Sequence, residues 1–201
     1  MLSADERLRF NVKFVQIEVT SDQSVNAARD TIEAAEGRLD SLVNNAGITG
    51  GVSLTDEDSV EVSIATIQDT INTNFIGTVR VCNTFLPILH KASGTPTILN
   101  ISGDTASNRQ ISLAPTPMFF TPYNASKAAV NSYTITLAVY LKDAGFKINA
   151  ATPGFTSTKL TGNRGKPAIN GALASLPWVV LGEDGPNGKF FAEDGKTEPE
   201  W

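Results

Sequence analysis

The residues most able to do chemistry in this sequence are a tyrosine and a lysine four positions apart, Tyr123 and Lys127. They open a segment, Tyr123 to Ala144, whose pattern predicts a helix that Gly145 ends, so the two side chains share one helix face. A phenol has an ordinary pKa near ~10, too high for ready proton exchange at neutral pH. A nearby ammonium group and a helix N-terminus both favour the phenolate. The pair therefore predicts a general acid/base in which the tyrosine pKa is lowered.

The elements that would position this pair alternate between strands and helices. Strands are predicted at Val12 to Val19, Leu39 to Asn44, Thr97 to Ser102, Lys147 to Thr152 and Gly188 to Phe191. The other predicted helices are Ser24 to Glu36, capped by Thr20 or Ser21 and ended by Gly37, and Ile64 to Lys91, interrupted near Pro87. Loops are predicted at 108–122 and, with a short helix, at 162–177. The alternation predicts an α/β fold with a parallel sheet that helices cover on both faces.

Polar and glycine-rich stretches follow three of these strands, after Asn44, Ser102 and Thr152. In open parallel sheets, ligands bind beyond the carboxyl ends of the strands. The three stretches are therefore expected to meet at one edge of the sheet and to form a site there.

The composition of the chain limits the classes of partner, the compartment and the metal sites that we expect. A chain of 201 residues suits one domain, and a net charge of −5 disfavours nucleic acid and anionic membranes. The single cysteine, Cys82, fits a reducing compartment, so we expect a cytoplasmic protein without a membrane segment. The sequence has neither a zinc-type ligand cluster nor a phosphate loop, and its only histidine, His90, lies far from the motif residues, so no metal site is predicted.

Several motifs follow one another in a fixed order. Asn44 to Gly47 (Asn-Asn-Ala-Gly) follows a strand, and Asn74 lies inside the long helix. Asn100-Ile101-Ser102 ends a strand, Tyr123 to Lys127 opens a helix, and Pro153-Gly154 ends another strand. Together they resemble the short-chain dehydrogenase/reductase family, in its carbonyl-reductase-like branch, from about residue 12 to the end.

The resemblance implies a Rossmann-like, doubly wound fold and a role for each motif residue. Tyr123 would be the catalytic acid/base, Lys127 would lower its pKa and bind the nicotinamide ribose, and Asn74 would hold a water in a proton relay. The implied cofactor-binding residues are Asn44, Ala46, Gly47, Val19, Tyr123, Lys127, Pro153, Gly154, Thr156 and Thr158, with Asn44 to Gly47 also tying strands together. Glu18 would lie near the adenine beside Val19, and Thr156 and Thr158 are equally well read as cap and loop hydroxyls.

The resemblance also implies partners and a cofactor. The cofactor would be NADP or NAD, with NADP slightly favoured, and the substrate a small carbonyl compound or alcohol. The helix that begins at Tyr123 would allow a homo-oligomer. The Pro-rich segment 111–122 is expected to shape the substrate cleft, although its Met118, Phe119 and Phe120 could equally anchor a surface loop.

The sequence departs from the family pattern in two places. No Gly-rich turn occurs before Gly37, so the resemblance implies that residues 1–201 are one incomplete domain lacking the first two strands and the Gly-rich turn. The residues that select NAD or NADP would lie in that segment. The family also places a catalytic serine where Gly103 stands, one residue after Ser102. Ser102 could serve if the strand end bulges, or it could be structural.

Two functional hypotheses stay open from the sequence. The first is an NAD(P)-dependent oxidoreductase that interconverts a carbonyl and an alcohol by hydride transfer. The second is a non-catalytic relic or scaffold that binds no dinucleotide, which Gly103 and the missing Gly-rich turn favour.

Overall fold

The computed structural model describes residues 12–50, 62–113 and 120–199. Its helices are α1 Asp22–Glu36, α2 Ile64–Ile71, α3 Gly77–Leu89, α4 Asn108–Leu113, α5 Thr121–Tyr140 and α6 Ala168–Ser175. Its strands are β1 Ser41–Asn44, β2 Thr97–Ile101, β3 Lys147–Ala151 and β4 Phe190–Phe191. Short 3₁₀ turns lie at Asp104–Ala106, Lys142–Ala144, Lys159–Thr161 and Leu176–Trp178.

The four strands form one parallel sheet in the order β1-β2-β3-β4. The register pairs Asn44 with Asn100 and Ile101 with Ala151, so the carboxyl ends of β1, β2 and β3 lie at one edge. This confirms the predicted parallel sheet, and it brings the three polar stretches to the same edge.

A helical layer packs on one face of the sheet and a thinner layer on the other. The larger core joins buried residues of α1, α3 and α5 to Ile98 and Ile148 of the sheet. On the opposite face, Leu99, Ala151 and Phe191 pack against Trp178 and Val179, with the Trp178 and Phe191 rings stacked at 3.6 Å between centroids. Alternate residues of each buried strand thus fill two cores, as expected for a sheet covered on both sides.

Caps fix the ends of α1 where the sequence predicts them. The Ser21 hydroxyl accepts a hydrogen bond from the Ser24 amide at 3.2 Å, which satisfies one of the free donors of the first turn. Gly37 ends the helix with φ 74°, a conformation that favours glycine, and its amide bonds the Glu33 carbonyl.

The segment Val12 to Val19 is not a strand, contrary to prediction. Val12 and Phe14 are 89% and 92% exposed, and none of the described strands is hydrogen-bonded to this segment. Strand structure requires a partner for the backbone N–H and C=O groups, which β propensity alone does not supply. Likewise, β1 has a neighbour on only one side among the described residues, and its Val43 is 41% exposed.

The long helix differs from the prediction at two points. Pro87 lies inside α3 without ending it. A proline has no amide hydrogen for the Asn83 carbonyl, but Asn83 is exposed, so its carbonyl lies on the solvent side of the helix. Instead, a π-helical turn at Asn72–Ile76 separates α2 from α3 and contains the fully buried Asn74.

The predicted loop 108–122 is in part helical. Asn108–Leu113 forms α4, and α5 begins at Thr121, with Pro122 in its first turn, where a proline costs no hydrogen bond. Residues 114–119, which are half of the segment expected to shape a substrate cleft, lie outside the described residues.

Candidate active site

The site is built at the carboxyl ends of β1, β2 and β3, where helix α5 supplies Tyr123 and Lys127. Lys127 is 4% exposed, and its Nζ donates a hydrogen bond to the Ile101 carbonyl at 2.7 Å. The same Nζ lies 5.7 Å from the centroid of the Tyr123 ring. The predicted pairing on one helix face is therefore present, and the ammonium group lies over the phenol ring.

The ionisation of this pair differs from the sequence-based prediction. Burial, together with the nearby Asp104 carboxylate, raises the pKa of Tyr123 to about 12, so the predicted lowering is wrong for this arrangement of the site. Burial lowers the pKa of Lys127 to about 8, because the charged amine has been withdrawn from water. The tyrosine thus retains its proton at neutral pH.

Asn74 ties the loop after β1 to the helices. Its Oδ1 accepts from the Ile48 amide at 2.8 Å, while its Nδ2 donates to the Ile48 carbonyl at 2.8 Å and to Ser126 Oγ at 2.9 Å. The Ser126 hydroxyl in turn donates to the Tyr123 carbonyl at 2.7 Å. These bonds fix the loop against the first turn of α5, next to the acid/base candidate.

Gly47 leaves room beside these side chains. A Cβ atom there would lie 3.3 Å from Asn74 Oδ1 and 3.5 Å from Lys127 Nζ, so both polar groups border the position that a side chain would occupy. A groove of about 530 Å³ begins at this point. Its walls are the loop after β1, helix α2 and the turn after β3, through Gly47, Ile48, Thr49, Gly50, Thr66, Asp69, Lys159 and Leu160.

Ser102 does not face the phenol. Its side chain is 2% exposed, and its Oγ donates to Asn131 Oδ1 at 2.7 Å, inside helix α5. The Ser102 amide continues the ladder to the Ala151 carbonyl at 2.8 Å, so the strand end has no bulge that would turn the hydroxyl around. This placement gives Ser102 a structural role and contradicts its prediction as a catalytic residue.

Gly103 lies against the phenol instead. A Cβ atom on Gly103 would be 3.0 Å from Tyr123 Oη and 3.1 Å from its Cε1. A serine at this position would bring its hydroxyl to the phenol, whereas the glycine brings only backbone. The next residue, Asp104, opens the 3₁₀ turn that follows β2, and its carboxylate contributes to the raised pKa of Tyr123; sequence reasoning missed it.

Asn44 and Val19 act mainly in the interior. Asn44 Nδ2 donates to Asn100 Oδ1 at 2.8 Å and to Cys82 Sγ at 3.2 Å, so it ties β1 to β2 as expected. Val19 packs on Gly77, and its carbonyl accepts from Arg80 Nη1 at 2.7 Å. Ala46 is exposed on the loop between Asn44 and Gly47.

The loop after β3 is held by its own hydroxyls. Gly154, with φ 69°, follows Pro153 and donates its amide to Thr152 Oγ1 at 3.0 Å. Thr156 Oγ1 donates to the Pro153 and Gly154 carbonyls at 3.1 and 2.9 Å. Thr158 is exposed and caps the turn Lys159–Thr161. Both threonines therefore act as cap and loop residues in this structure, the second of the two readings of the sequence.

A second groove, of about 410 Å³, lies under the extended segment that precedes α1.

Among the described residues, no helix has the length and apolar character needed to cross a bilayer. The described ranges also contain no cluster of three or more side chains suited to a metal ion.

Comparison with known proteins gives one consistent result. The family model for short chain dehydrogenase matches residues 2–168. The chain is 34% identical over 162 residues to 3-ketodihydrosphingosine reductase of Bacteroides thetaiotaomicron, covering 80% of this chain and 55% of that protein. It is 28% identical to salutaridine reductase of Papaver bracteatum over 244 residues, covering 90% of this chain and 78% of the relative.

Solved structures agree with this result. The NADPH-bound carbonyl reductase from chicken fatty liver superposes with a TM-score of 0.81 at 25% identity, covering 95% of this chain and 78% of the other. Carbonyl reductase Sniffer of D. melanogaster has a TM-score of 0.80 at 22% identity, covering 97% and 80%, which is a likeness of fold. This protein belongs to the short-chain dehydrogenase/reductase family of oxidoreductases and has the carbonyl-reductase-like form of its Rossmann fold.

Proposed function

We propose that the chain interconverts a carbonyl compound and an alcohol with NADP or NAD, and that Tyr123 is the acid/base. The observation that carries this proposal is the convergence of Asn74 Oδ1 and Lys127 Nζ on the space left by Gly47, with the Tyr123 ring next to the lysine. A dinucleotide bound there would supply the hydride for the carbonyl carbon.

The residues present fit the nicotinamide end of such a cofactor. Gly47 provides a cradle that a side chain would fill, and Lys127 offers a buried donor beside it. The loop with Pro153 and Gly154 is at the end of the adjacent strand, and exposed Thr158 follows it. We propose these residues as the nicotinamide and ribose contacts, with NADP favoured over NAD because two structural relatives, chicken carbonyl reductase and ElxO, hold NADPH or NADP.

The tyrosine is in the state needed for reduction. Since the pKa of Tyr123 is raised, its hydroxyl keeps a proton at neutral pH and can donate it to a carbonyl oxygen. The O–H bond of tyrosine breaks as the O–H bond of the alcohol forms, and the phenolate left behind lies near the Lys127 ammonium group. Asn74 is hydrogen-bonded to the loop that borders this space. It thereby fixes the position of the loop relative to Tyr123 and Lys127.

A two-part experiment tests the proposal. NADPH fluorescence is titrated with the purified chain, and reduction of a panel of small ketones and aldehydes is then followed. Tyr123→Phe should lower kcat by about 10²–10⁴-fold with an unchanged circular dichroism spectrum, because it removes the proton donor and keeps the ring. Tyr140→Phe is the matched control, since Tyr140 is on the same helix and 79% exposed. An active Tyr123→Phe variant would remove Tyr123 from the mechanism.

The second candidate is a family member without catalytic activity that acts as a scaffold. Two observations favour it: Ser102 is turned toward Asn131, and the described residues lack a Gly-rich phosphate turn. Absence of NADPH binding at millimolar concentration would support the scaffold and contradict the enzyme. In either case we propose a cytoplasmic location, because the one cysteine is buried and has no intrachain partner to oxidise with.

A further inference from the structure

Asp104 lies where β2 ends beside the acid/base candidate. It follows Gly103, whose Cα faces the phenol so closely that an added Cβ would be 3.0 Å from Tyr123 Oη. Asp104 opens the 3₁₀ turn Asp104–Ala106, and its side chain is partly buried. The carboxylate is thus the next side chain along the chain from the point of contact with the phenol.

A buried hydroxyl holds Asp104 in this place. Thr152, at the end of β3 and 2% exposed, donates its hydroxyl to the Asp104 carboxylate and accepts the Gly154 amide at 3.0 Å. The carboxylate is therefore linked through one hydroxyl to the loop proposed to contact the nicotinamide. Such a fixed, partly desolvated charge acts strongly on its neighbours, because little water screens it.

Two charged side chains, Glu193 and Lys166, act on Asp104 in addition to the Thr152 hydroxyl. Burial is the largest cause that raises the pKa of Asp104, the Thr152 hydrogen bond lowers it, and then Glu193 raises it and Lys166 lowers it. Lys166 and Glu193 themselves form an ion pair at 2.7 Å, and they act on the pKa of Asp104 in opposite directions. On the phenol, Asp104 is the charged group that adds to burial in raising the pKa of Tyr123.

We propose that Asp104 is a positioning residue of this site, whose carboxylate keeps the proton on the Tyr123 hydroxyl until a carbonyl oxygen accepts it. The catalytic use of that proton rests on the proposed function, whereas the effect of the carboxylate on the phenol does not. Asp104 directly follows Gly103, which brings no hydroxyl to the phenol, and the Ser102 hydroxyl is bonded to Asn131.

This arrangement favours one direction of reaction. Reduction starts from the neutral phenol, which loses its proton to the new alcohol, and the negative Asp104 promotes the return of a proton from solvent. Oxidation starts from the phenolate, which takes the proton of the alcohol, and a carboxylate next to it makes that species rarer. Oxidation should therefore require a higher pH than it would without Asp104.

The first test measures the phenol directly and needs no activity. The ultraviolet absorbance of tyrosinate is followed against pH in the full chain, with Tyr123→Phe subtracted to remove the other tyrosines and circular dichroism recorded at each pH. In Asp104→Asn the midpoint should fall by less than about one pH unit, because burial is the larger of the two causes of the shift, and this still gives several-fold more phenolate at a given pH below it. Asp104→Ala should behave in the same way if the asparagine variant folds poorly. An unmoved midpoint would overturn the proposal.

Two control variants separate charge from packing. Asp104→Glu keeps the charge and should leave the Tyr123 midpoint within a few tenths of a pH unit of wild type (about the level of rearrangement effects). Glu193→Gln removes a carboxylate that faces Asp104 but is not among the groups acting on the phenol, so the midpoint should also stay. A shift in Glu193→Gln as large as that in Asp104→Asn would refute a specific role for Asp104.

The second test uses the pH profile of alcohol oxidation. In Asp104→Asn the rising limb should move to lower pH, by the same amount as the absorbance midpoint, while KM changes little. A profile identical to wild type, despite a shifted midpoint, would remove Asp104 from catalysis. A chain with no activity at all would contradict the proposed function, and the absorbance titration would still decide the effect of Asp104 on the phenol.

Discussion

The buried amine of Lys127 should make stability depend on pH in a way that one substitution removes. Burial lowers its pKa from 10.5 to about 8, a difference of about 2.5 units, and each unit corresponds to about 1.36 kcal/mol. The charged amine therefore destabilises the folded chain by about 3 kcal/mol at neutral pH. Lys127→Met should recover most of this, less about 1 kcal/mol for the lost hydrogen bond to the Ile101 carbonyl.

The sign of the pH dependence follows from proton binding. Below about pH 8, folded and unfolded chains both carry the proton, so the folded state bears the whole cost. Between about pH 8 and 10.5 the unfolded chain binds the proton and the folded chain does not, so the free energy of unfolding rises with pH. The advantage of Lys127→Met over wild type should therefore shrink by about 2.5 kcal/mol between about pH 7 and pH 10.

Urea denaturation of both proteins across this range measures the effect as a difference. The difference is essential, because the raised pKa values of Cys82, about 11, and Tyr123, about 12, lower stability at alkaline pH in both proteins alike. Lys142→Met, which removes an exposed lysine just beyond the same helix, should differ from wild type by a constant amount. A Lys127→Met difference that is equally constant would refute the reasoning.

Three further predictions concern single positions around the site. In urea melts, Gly154→Ala should lower the free energy of unfolding by about 1–3 kcal/mol more than Gly145→Ala does. Both glycines have a positive φ, 69° and 78°, but only a Cβ at Gly154 meets a side chain, so equal losses would contradict that contact. In steady-state kinetics, the Gly103→Ser variant should reduce a carbonyl at least about ten times faster than the Gly103→Ala variant. Both variants add a Cβ and only serine adds a hydrogen-bond donor, so equal rates would refute the role of that donor. Asn74→Ala should cost about 2 kcal/mol and speed hydrogen exchange of the Ile48 amide, and an unchanged exchange rate would show that another group holds the loop.

Local chemistry in the sequence was enough to predict the parts of the site that depend on spacing. Tyr123 and Lys127 share a helix face because four residues make about one turn, and this is confirmed by the position of Nζ over the ring. The end of α1 at Gly37 was predicted for a similar reason, since a residue with φ 74° favours glycine. Such features are decided within a few residues of chain.

Features that depend on distant partners were not predictable in this way. The raised pKa of Tyr123 results from burial and from Asp104, 19 residues earlier in the chain. The β propensity of Val12 to Val19 indicates a strand, but the segment has no hydrogen-bonded neighbour among the described residues. The direction of the Ser102 hydroxyl was settled by Asn131 of α5, which the sequence alone does not place there.

The π-helical turn at Asn72–Ile76 lets one helical segment direct side chains to two places that an unbroken α-helix could not align. The extra residue in this turn offsets α3 from α2 by about 100° around the helix axis. Within this turn, Asn74 is hydrogen-bonded to the loop after β1; downstream of it, Cys82 and Phe85 of α3 are buried in the core. Removal of one residue here would therefore misdirect either Asn74 or the buried side chains of α3, so the position of the loop after β1 depends on the same turn as the packing of the core.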